Sequence, residues 1–349
     1  MKSKRLLLLA IAVVAAGAAL AAGLGSSSSN AAPRATARVA VVTDIGGLND
    51  KGFNHLAYVG LQRAQSKLGV DGRVFITNTA EDRLPNLRSA AQQGYGLVIG
   101  VGFLMFDPLD KLAPAVPNTK FAGVDVPYAL LASKPANVRG LVFKEQEAGY
   151  LVGYIAGLEI KRHPYKGKQV VSGVGANKVP AIIHFLTGYA AGAKKANPKV
   201  TVLINYANDP TFADQAKCKV TTQNQISRGS GVVFEAAGQC GLGGLTAAKQ
   251  SGVWGIGVDA DQSFLGPHIL TSATKKVDVA VYQTIQAYAQ NPDGFTGGSD
   301  QVFSVKNGAV GYGKLSPKLS KADRAYILAR VSNIAKQIAS GKIVPPSGT

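Results

Sequence analysis

The sequence predicts an α/β protein of two doubly wound parallel-sheet domains, and three observations carry that prediction. Short β-branched apolar runs alternate with helix-length amphipathic segments from Arg38 onward. The runs are nearly continuous in apolar residues, as strands covered on both faces are. About 310 residues follow the N-terminal segment, the length at which one core stops growing and two domains become the default.

In order, Val39 to Thr43 is an apolar strand ending in a polar residue. The helix from about Phe53 places Phe53, Leu56, Ala57, Gly60, Leu61, Ala64 and Leu68 on one face, at spacings of three and four. Strands follow at Arg73 to Thr77, Leu97 to Val101 and Phe121 to Val124. Leu141 to Lys144 opens a second array: a helix from Glu145 to Ile160, a strand at Gln169 to Val174, and a helix from Pro180, which suits a first turn, to Ala196. Strands at Val200 to Asn205, Gly231 to Glu235 and Val253 to Val258 alternate with helices near Thr211 to Ser227 and Leu242 to Gln250. A strand at His268 to Thr274, a helix to about Ala289, two short strands around Val302 to Val310 and a helix after Ser320 complete the chain. Ser320 with Asp323 has the form of an N-cap and acidic first turn.

At the N-terminus, Lys2, Lys4 and Arg5 precede an apolar stretch from Leu6 to Leu20, the layout of a cleavable export signal. Residues 22–37 are rich in Ser, Ala and Gly and read as a flexible leader. Residues 1–37 are therefore assigned to signal and leader, and the protein is expected outside the cytoplasm, at the cell surface or in the periplasm. No cysteine stands near the end of the apolar stretch to accept a lipid. The two cysteines, Cys218 and Cys240, are expected to form a disulfide in an exported chain. The four histidines are isolated, so no metal site is expected.

A formal charge of +18, or +15 without the three basic signal residues, raises the question of nucleic acid. Lysines and arginines are scattered through helices and loops, with no arginine-rich arm and no basic run interleaved with aromatics. The expectation is a soluble basic surface attracted to an anionic cell envelope, with no nucleic-acid partner.

Open α/β sheets bind ligands at the carboxyl ends of their strands, where loops diverge and helix N-termini present free N–H groups. After the first strand, the stretch from Thr43 to Asn54 concentrates Asp44, Asp50, Asn54, three glycines and Phe53 in one turn. Local capping would explain part of this, but Asp44, Asp50 and Asn54 exceed what one cap requires. The glycines match neither a dinucleotide fingerprint nor a P-loop, so no cofactor is expected. An acidic turn suits hydroxyls and ring N–H groups better than phosphate. Equivalent strand-end positions hold Gly102 and Phe103, Asp125, Glu235 to Gly238, and Asp259 to Gln262. Carboxylates directly after apolar strands, as at Asp125 and Asp259, are costly unless paired or facing a ligand. Phe212 begins a second-domain helix in this reading, as core or as platform. No Gly-x-Ser-x-Gly elbow, His-Glu-x-x-His or close Cys and His pair is present, and no two carboxylates stand out as acid and base.

The run Val42-Thr43-Asp44-Ile45-Gly46-Gly47-Leu48-Asn49-Asp50-Lys51-Gly52-Phe53-Asn54 resembles the opening motif of the basic membrane protein family. These are substrate-binding components of ABC transporters, including the purine nucleoside receptor A type. The likeness continues through Gly100 to Phe103, Val142 to Gly149, Gly188 to Ala193, Gly255 to Gln262 and Leu270 to Asp278. It implies the type I periplasmic binding protein fold, with hinge crossovers joining two lobes around a ligand cleft. The expected lobes are 38–142 with about 264–297, and 143–263 with about 298–345. The resemblance further implies a monomeric, non-catalytic binder of a purine nucleoside, partnered by a membrane permease. Phe53 would stack on one face of the base and Phe212 on the other, with Phe185 as the alternative second platform. Asp44, Asn54 and Asp125 would approach from the first domain, Asp259 would take the base edge or ribose, and Lys275 would lie nearby, with Asp50, Gly102 and Gly238 completing the site. The glycine-rich turn usual after the second-domain strand is here Ala236-Ala237-Gly238-Gln239-Cys240-Gly241, which lets Gln239 enter the cleft. The alternatives are a sugar or other small polar metabolite, a nucleoside hydrolase-like enzyme, and a surface adhesin or sensor on the same fold.

Overall fold

A computed structural model of the chain describes residues 36–348, so the expected signal and all but the last two residues of the leader lie outside the described residues. Thr36–Thr349 is one compact unit. Its first half runs β1 (Arg38–Val42), α1 (Phe53–Leu68), β2 (Asp71–Phe75), α2 (Arg83–Gln92), β3 (Leu97–Val101), α3 (Phe106–Leu112), β4 (Lys120–Val124) and β5 (Val138–Phe143). Then follow α4 (Glu145–Arg162), β6 (Val170–Gly175), α5 (Pro180–Ala196), β7 (Thr201–Tyr206), α6 (Gln215–Ser227), β8 (Ser230–Ala236), α7 (Gly241–Gln250), β9 (Trp254–Asp259) and β10 (Ile269–Lys275). The chain closes with α8 (Val277–Gln290), β11 (Ser299–Phe303), β12 (Val310–Tyr312) and α9 (Lys321–Ala339).

Two six-stranded sheets result, ordered β2-β1-β3-β4-β5-β11 and β7-β6-β8-β9-β10-β12. Every pairing in the first is parallel, and in the second only the edge strand β12 is antiparallel. The first five strands of each sheet repeat the same doubly wound order. Its reversal between β1 and β3, and again between β6 and β8, opens a crevice at the carboxyl ends of the strands. β3 and β8 are buried along their whole length; β3 accordingly reads as an unbroken apolar run, and β8 as one interrupted only by Ser230 and Glu235 at its two ends.

The helices α2 and α3 have no counterpart in the sequence reading. Within α2 only Arg83, Leu87 and Ala90 are buried, and α3 has seven residues, so neither carries a long apolar stripe. The assignment of about 264–297 to the first lobe is corrected at β10, which pairs with β9 and β12 in the second sheet. Almost all of β10 is buried, and a strand covered on both faces needs an interior place in its sheet. Conversely β11, expected in the second lobe, adds to β5 of the first sheet.

The chain passes between the sheets at Lys144, at Lys276 and along residues 304–309. These crossings lie side by side: the Lys144 N–H donates to the Phe303 carbonyl at 2.8 Å and the Lys276 N–H to the Ala309 carbonyl at 2.8 Å. Glu147 accepts the Val305 N–H at 2.7 Å, tying α4 to the third crossing. Behind them α4 and α5 pack almost backbone to backbone. A Cβ on Gly149 or Gly153 would come within 2.1 Å of the Phe185 or Tyr189 carbonyl oxygen. That close approach seats the first turns of both helices beneath the cleft.

Candidate functional site

A cavity lies between the carboxyl ends of the two sheets, with about 740 Å³ of empty space once its open mouth is included. Asp44, Asp50, Phe53, Asn54, Gly102, Asp125, Phe212, Gly238, Asp259, Lys275 and Phe185 all line it. The structure brings these sequence-selected residues together, but not in equal standing.

Asp50 is consumed by the fold. Its carboxylate accepts the N–H groups of Gly52 at 3.0 Å, Asn54 at 2.7 Å and His55 at 3.1 Å, capping α1. Burial raises its pKa against those bonds. Asp44 and Asn54 brace each other: the Asn54 amide oxygen accepts the Asp44 N–H at 3.0 Å, and its nitrogen donates to the Ile45 carbonyl at 3.2 Å. One Asp44 oxygen is held by Arg83 at 2.8 Å and by the Ile45 N–H at 2.8 Å. The other turns toward Gly102, where a Cβ would stand 3.1 Å from it. Gly102, at φ 110°, therefore answers both a backbone and a space requirement.

Asp125 and Asp259 occupy matching places, each at or just past the end of its strand and each with φ 62°. This left-handed conformation is costly for a non-glycine residue. Both carboxyl groups line the cavity, one from each sheet. Lys275, only 1% exposed, donates to Asp125 Oδ2 at 2.6 Å and to Glu145 Oε1 at 2.9 Å. Glu145 Oε2 in turn meets His184 Nδ1 at 3.0 Å. Burial lowers the Lys275 pKa, but Asp125, Glu145 and Asp259 outweigh it and hold the ammonium charged. The Glu145 carboxyl is lowered, because Lys275 and His184 overcome its burial. The Asp259 carboxyl group has no hydrogen-bond partner among the described residues, and burial pushes its pKa up to about 7, opposed by Lys275 and reinforced by Asp125, Asp50 and Glu145.

Phe53 and Phe212 present half-buried rings to the cavity from the first and second lobes. Phe185 is 1% exposed and edge-packed on Phe234, with centroids 6.0 Å apart, so it is mainly core. The expected helical start at Phe212 is corrected. Asp214 caps α6 by accepting the Ala216 and Lys217 N–H groups, and Phe212 stands in the preceding turn at φ 58°. That turn is organised by Asp209, which accepts from Thr211 and Asp214. Cys218 of α6 is disulfide-bonded to Cys240, whose N–H donates to the Phe212 carbonyl at 2.9 Å. The disulfide thus clamps the loop of Gly238 and Gln239 to the loop of Phe212. Gln239 does enter the cleft, and at its rim Gln262 Nε2 reaches the Lys51 carbonyl of the opposite lobe at 3.4 Å.

Arg83, Glu145 and His184 were not selected from the sequence. Glu145 stood within a quoted motif, but its value depends on Lys275, 130 residues away. Among the described residues, no cluster of three or more His, Cys, Asp or Glu could hold a metal ion.

Residues 37–343 match the profile of the Bmp family, described as ABC transporter substrate-binding protein, PnrA-like. The chain belongs to this family. As a Bmp protein it is 33% identical over 330 residues to the CD4+ T-cell-stimulating antigen of Listeria monocytogenes, covering 88% of this chain and 87% of that one. It is 31% identical over 344 residues to the ABC transporter nucleoside-binding protein BmpA of Lactococcus lactis, covering 92% of each. Among solved structures, an ABC transporter solute-binding protein from Aeropyrum pernix superposes with a TM-score of 0.76 at 27% identity, over 88% of this Bmp protein and 93% of that chain.

Proposed function

We propose that this Bmp protein works outside the cytoplasm, closing its lobes on a purine nucleoside and presenting it to a membrane permease. One observation carries the choice of ligand. Two aromatic rings from opposite lobes face a cavity lined by carboxyl groups, in which Lys275 is already paired with both Asp125 and Glu145. A flat base sandwiched between Phe53 and Phe212 gains stacking energy, and the free Asp259 carboxylate accepts ribose hydroxyls. Among the described residues that line the cavity, a phosphate would meet acids and no cation other than the doubly paired Lys275. The L. lactis relative named for nucleoside binding supports the same reading.

Calorimetry against nucleosides, nucleoside monophosphates, free bases and sugars tests it. Adenosine, guanosine or inosine should bind, and their 5′-monophosphates should bind at least a hundredfold more weakly. Binding confined to sugars would replace the ligand. Release of free base on incubation would make the protein an enzyme.

A further inference from the structure

The basic residues are scattered in sequence but segregated in space. The segments that build the first lobe, 36–143 and 277–303, contain 11 basic and 11 acidic residues. Those that build the second, 144–276 and 304–348, contain 23 basic and nine acidic, a net charge of +14. Most of the nine acids are withdrawn from the surface: Glu145, Glu147, Glu159, Asp209, Glu235, Asp259 and Asp323 are buried.

Seven exposed cations of this lobe gather at one end. In a parallel βαβ unit the helices run against the strands, so their C-termini lie at the pole opposite the cleft. In the second lobe those helix ends carry exposed Lys161, Lys194, Lys195, Arg228 and Lys249. Between α4 and β6, exposed Lys166 and Lys168 edge a surface depression also lined by Ser227, Gly229 and Ser251. The acids nearby are spoken for: Asp323 is paired with Arg162 and His163, and Glu159 accepts the Trp254 indole N–H.

Cations at helix C-termini complement the helix dipole, and that alone could place some of these lysines. The first lobe is the internal control. It has the same helix ends, yet there α1 carries the single exposed Lys67 in its last turn, Lys111 is paired with Asp107 and Arg38 with Asp71, α2 ends in Gln92, and α8 is followed by Asp293. The dipole therefore does not require the second lobe's excess.

We infer that the pole of the second lobe remote from the cleft is a docking surface for an anionic phospholipid bilayer. Among the described residues the charges are dispersed over four helix ends and a loop, and the depression beside them offers one aromatic ring, Tyr165, where single-stranded nucleic acid requires a groove with successive stacking platforms. A fluid bilayer can gather a mobile headgroup under each of them, and its surface potential attracts basic groups within a Debye length. Docking by this pole leaves the cleft mouth uncovered. It also involves neither cysteine, since both are spent in the disulfide.

Co-sedimentation of the Thr36–Thr349 unit with phosphatidylcholine vesicles, with and without 30% phosphatidylglycerol, reads the surface directly. Binding should require phosphatidylglycerol and vanish in 0.5 M NaCl. Neutralising the pole with Lys161→Gln, Lys194→Gln, Lys195→Gln and Lys249→Gln should lower partitioning by about fivefold per charge removed, with melting temperature and ligand affinity unchanged. A matched set in the first lobe, Lys67→Gln, Lys111→Gln, Lys120→Gln and Lys134→Gln, should leave at least half of the vesicle binding. Equal losses from the two sets would reduce the effect to net charge and overturn the surface. So would absence of binding to the phosphatidylglycerol vesicles, or capture by soluble polyphosphate alone.

Discussion

Asp259 is poised against the stability of the empty protein, and replacing it should separate stability from function. Its carboxyl group is buried, lacks a hydrogen-bond partner among the described residues, and sits on a left-handed backbone, with a pKa pushed up to about 7 mainly by burial. In the unfolded chain it titrates near ~3.9. Below that value both states hold the proton and nothing is lost. Between about pH 4 and 7 the folded state keeps a proton that the unfolded state releases, so stability falls as pH rises, and above 7 the full penalty is present. About three pH units at ~1.4 kcal/mol each give an upper bound of about 4 kcal/mol. Asp259→Asn keeps the shape and removes the charge. It should raise the melting temperature of the ligand-free protein at pH 8 by on the order of 5 °C, with a gain that shrinks toward zero near pH 4. The same change weakens acceptance of ligand hydroxyls, where a hydrogen bond to a charged group is worth about 1.5–3 kcal/mol, so nucleoside affinity at pH 8 should fall at least tenfold. Differential scanning fluorimetry across pH 4–8, with and without inosine, measures both. A variant no more stable than wild type at pH 8, or one still fully stabilised by nucleoside, would refute the reasoning.

Three further outcomes follow from the geometry. Phe53→Ala and Phe212→Ala should each cost about 1–3 kcal/mol of nucleoside affinity with little change in melting temperature, since stacking on an aromatic platform is worth that much per base. Phe185→Ala should instead destabilise the fold by about 3–5 kcal/mol, and the comparison by calorimetry and thermal melting decides which ring is the second platform. Reducing the Cys218–Cys240 bond, which closes a 22-residue separation, should lower stability by about 3 kcal/mol in a denaturant titration and weaken nucleoside binding through the freed Phe212 loop. Gly153→Ala drives a methyl group into the Tyr189 carbonyl of α5, and should lower stability by at least 1–3 kcal/mol, whereas Gly167→Ala, in open space at φ 74°, should cost only its backbone strain.

Strand positions and the residues that follow them were legible in the sequence because both are local. An apolar run flanked by turn residues marks a buried strand wherever it lies, and a strand's carboxyl end is where an α/β sheet puts its chemistry. Asp44, Asp125, Asp259 and Lys275 were found in that way or through the family motif, and they converge on one cavity. The helices α2 and α3 escaped because neither buries a long enough stripe to impose a period.

What each site residue does was decided by the tertiary structure. In the sequence Asp50 and Asp259 are the same side chain in similar settings. In the fold, one satisfies three backbone N–H groups and the other is left facing the cavity. Lys275 reads as a cation open to a ligand until Asp125 and Glu145 are seen to enclose it across 150 and 130 residues of chain. β10 changed lobes for the same reason: its place depends on which neighbours complete its hydrogen bonds and cover both its faces. Even the charge that composition reported as a single total became a property of one lobe only when the chain's three crossings assigned each segment to a sheet. Local sequence specifies what a segment can offer. Pairing, saturation and desolvation are relations between distant segments, and they exist only once the chain has folded.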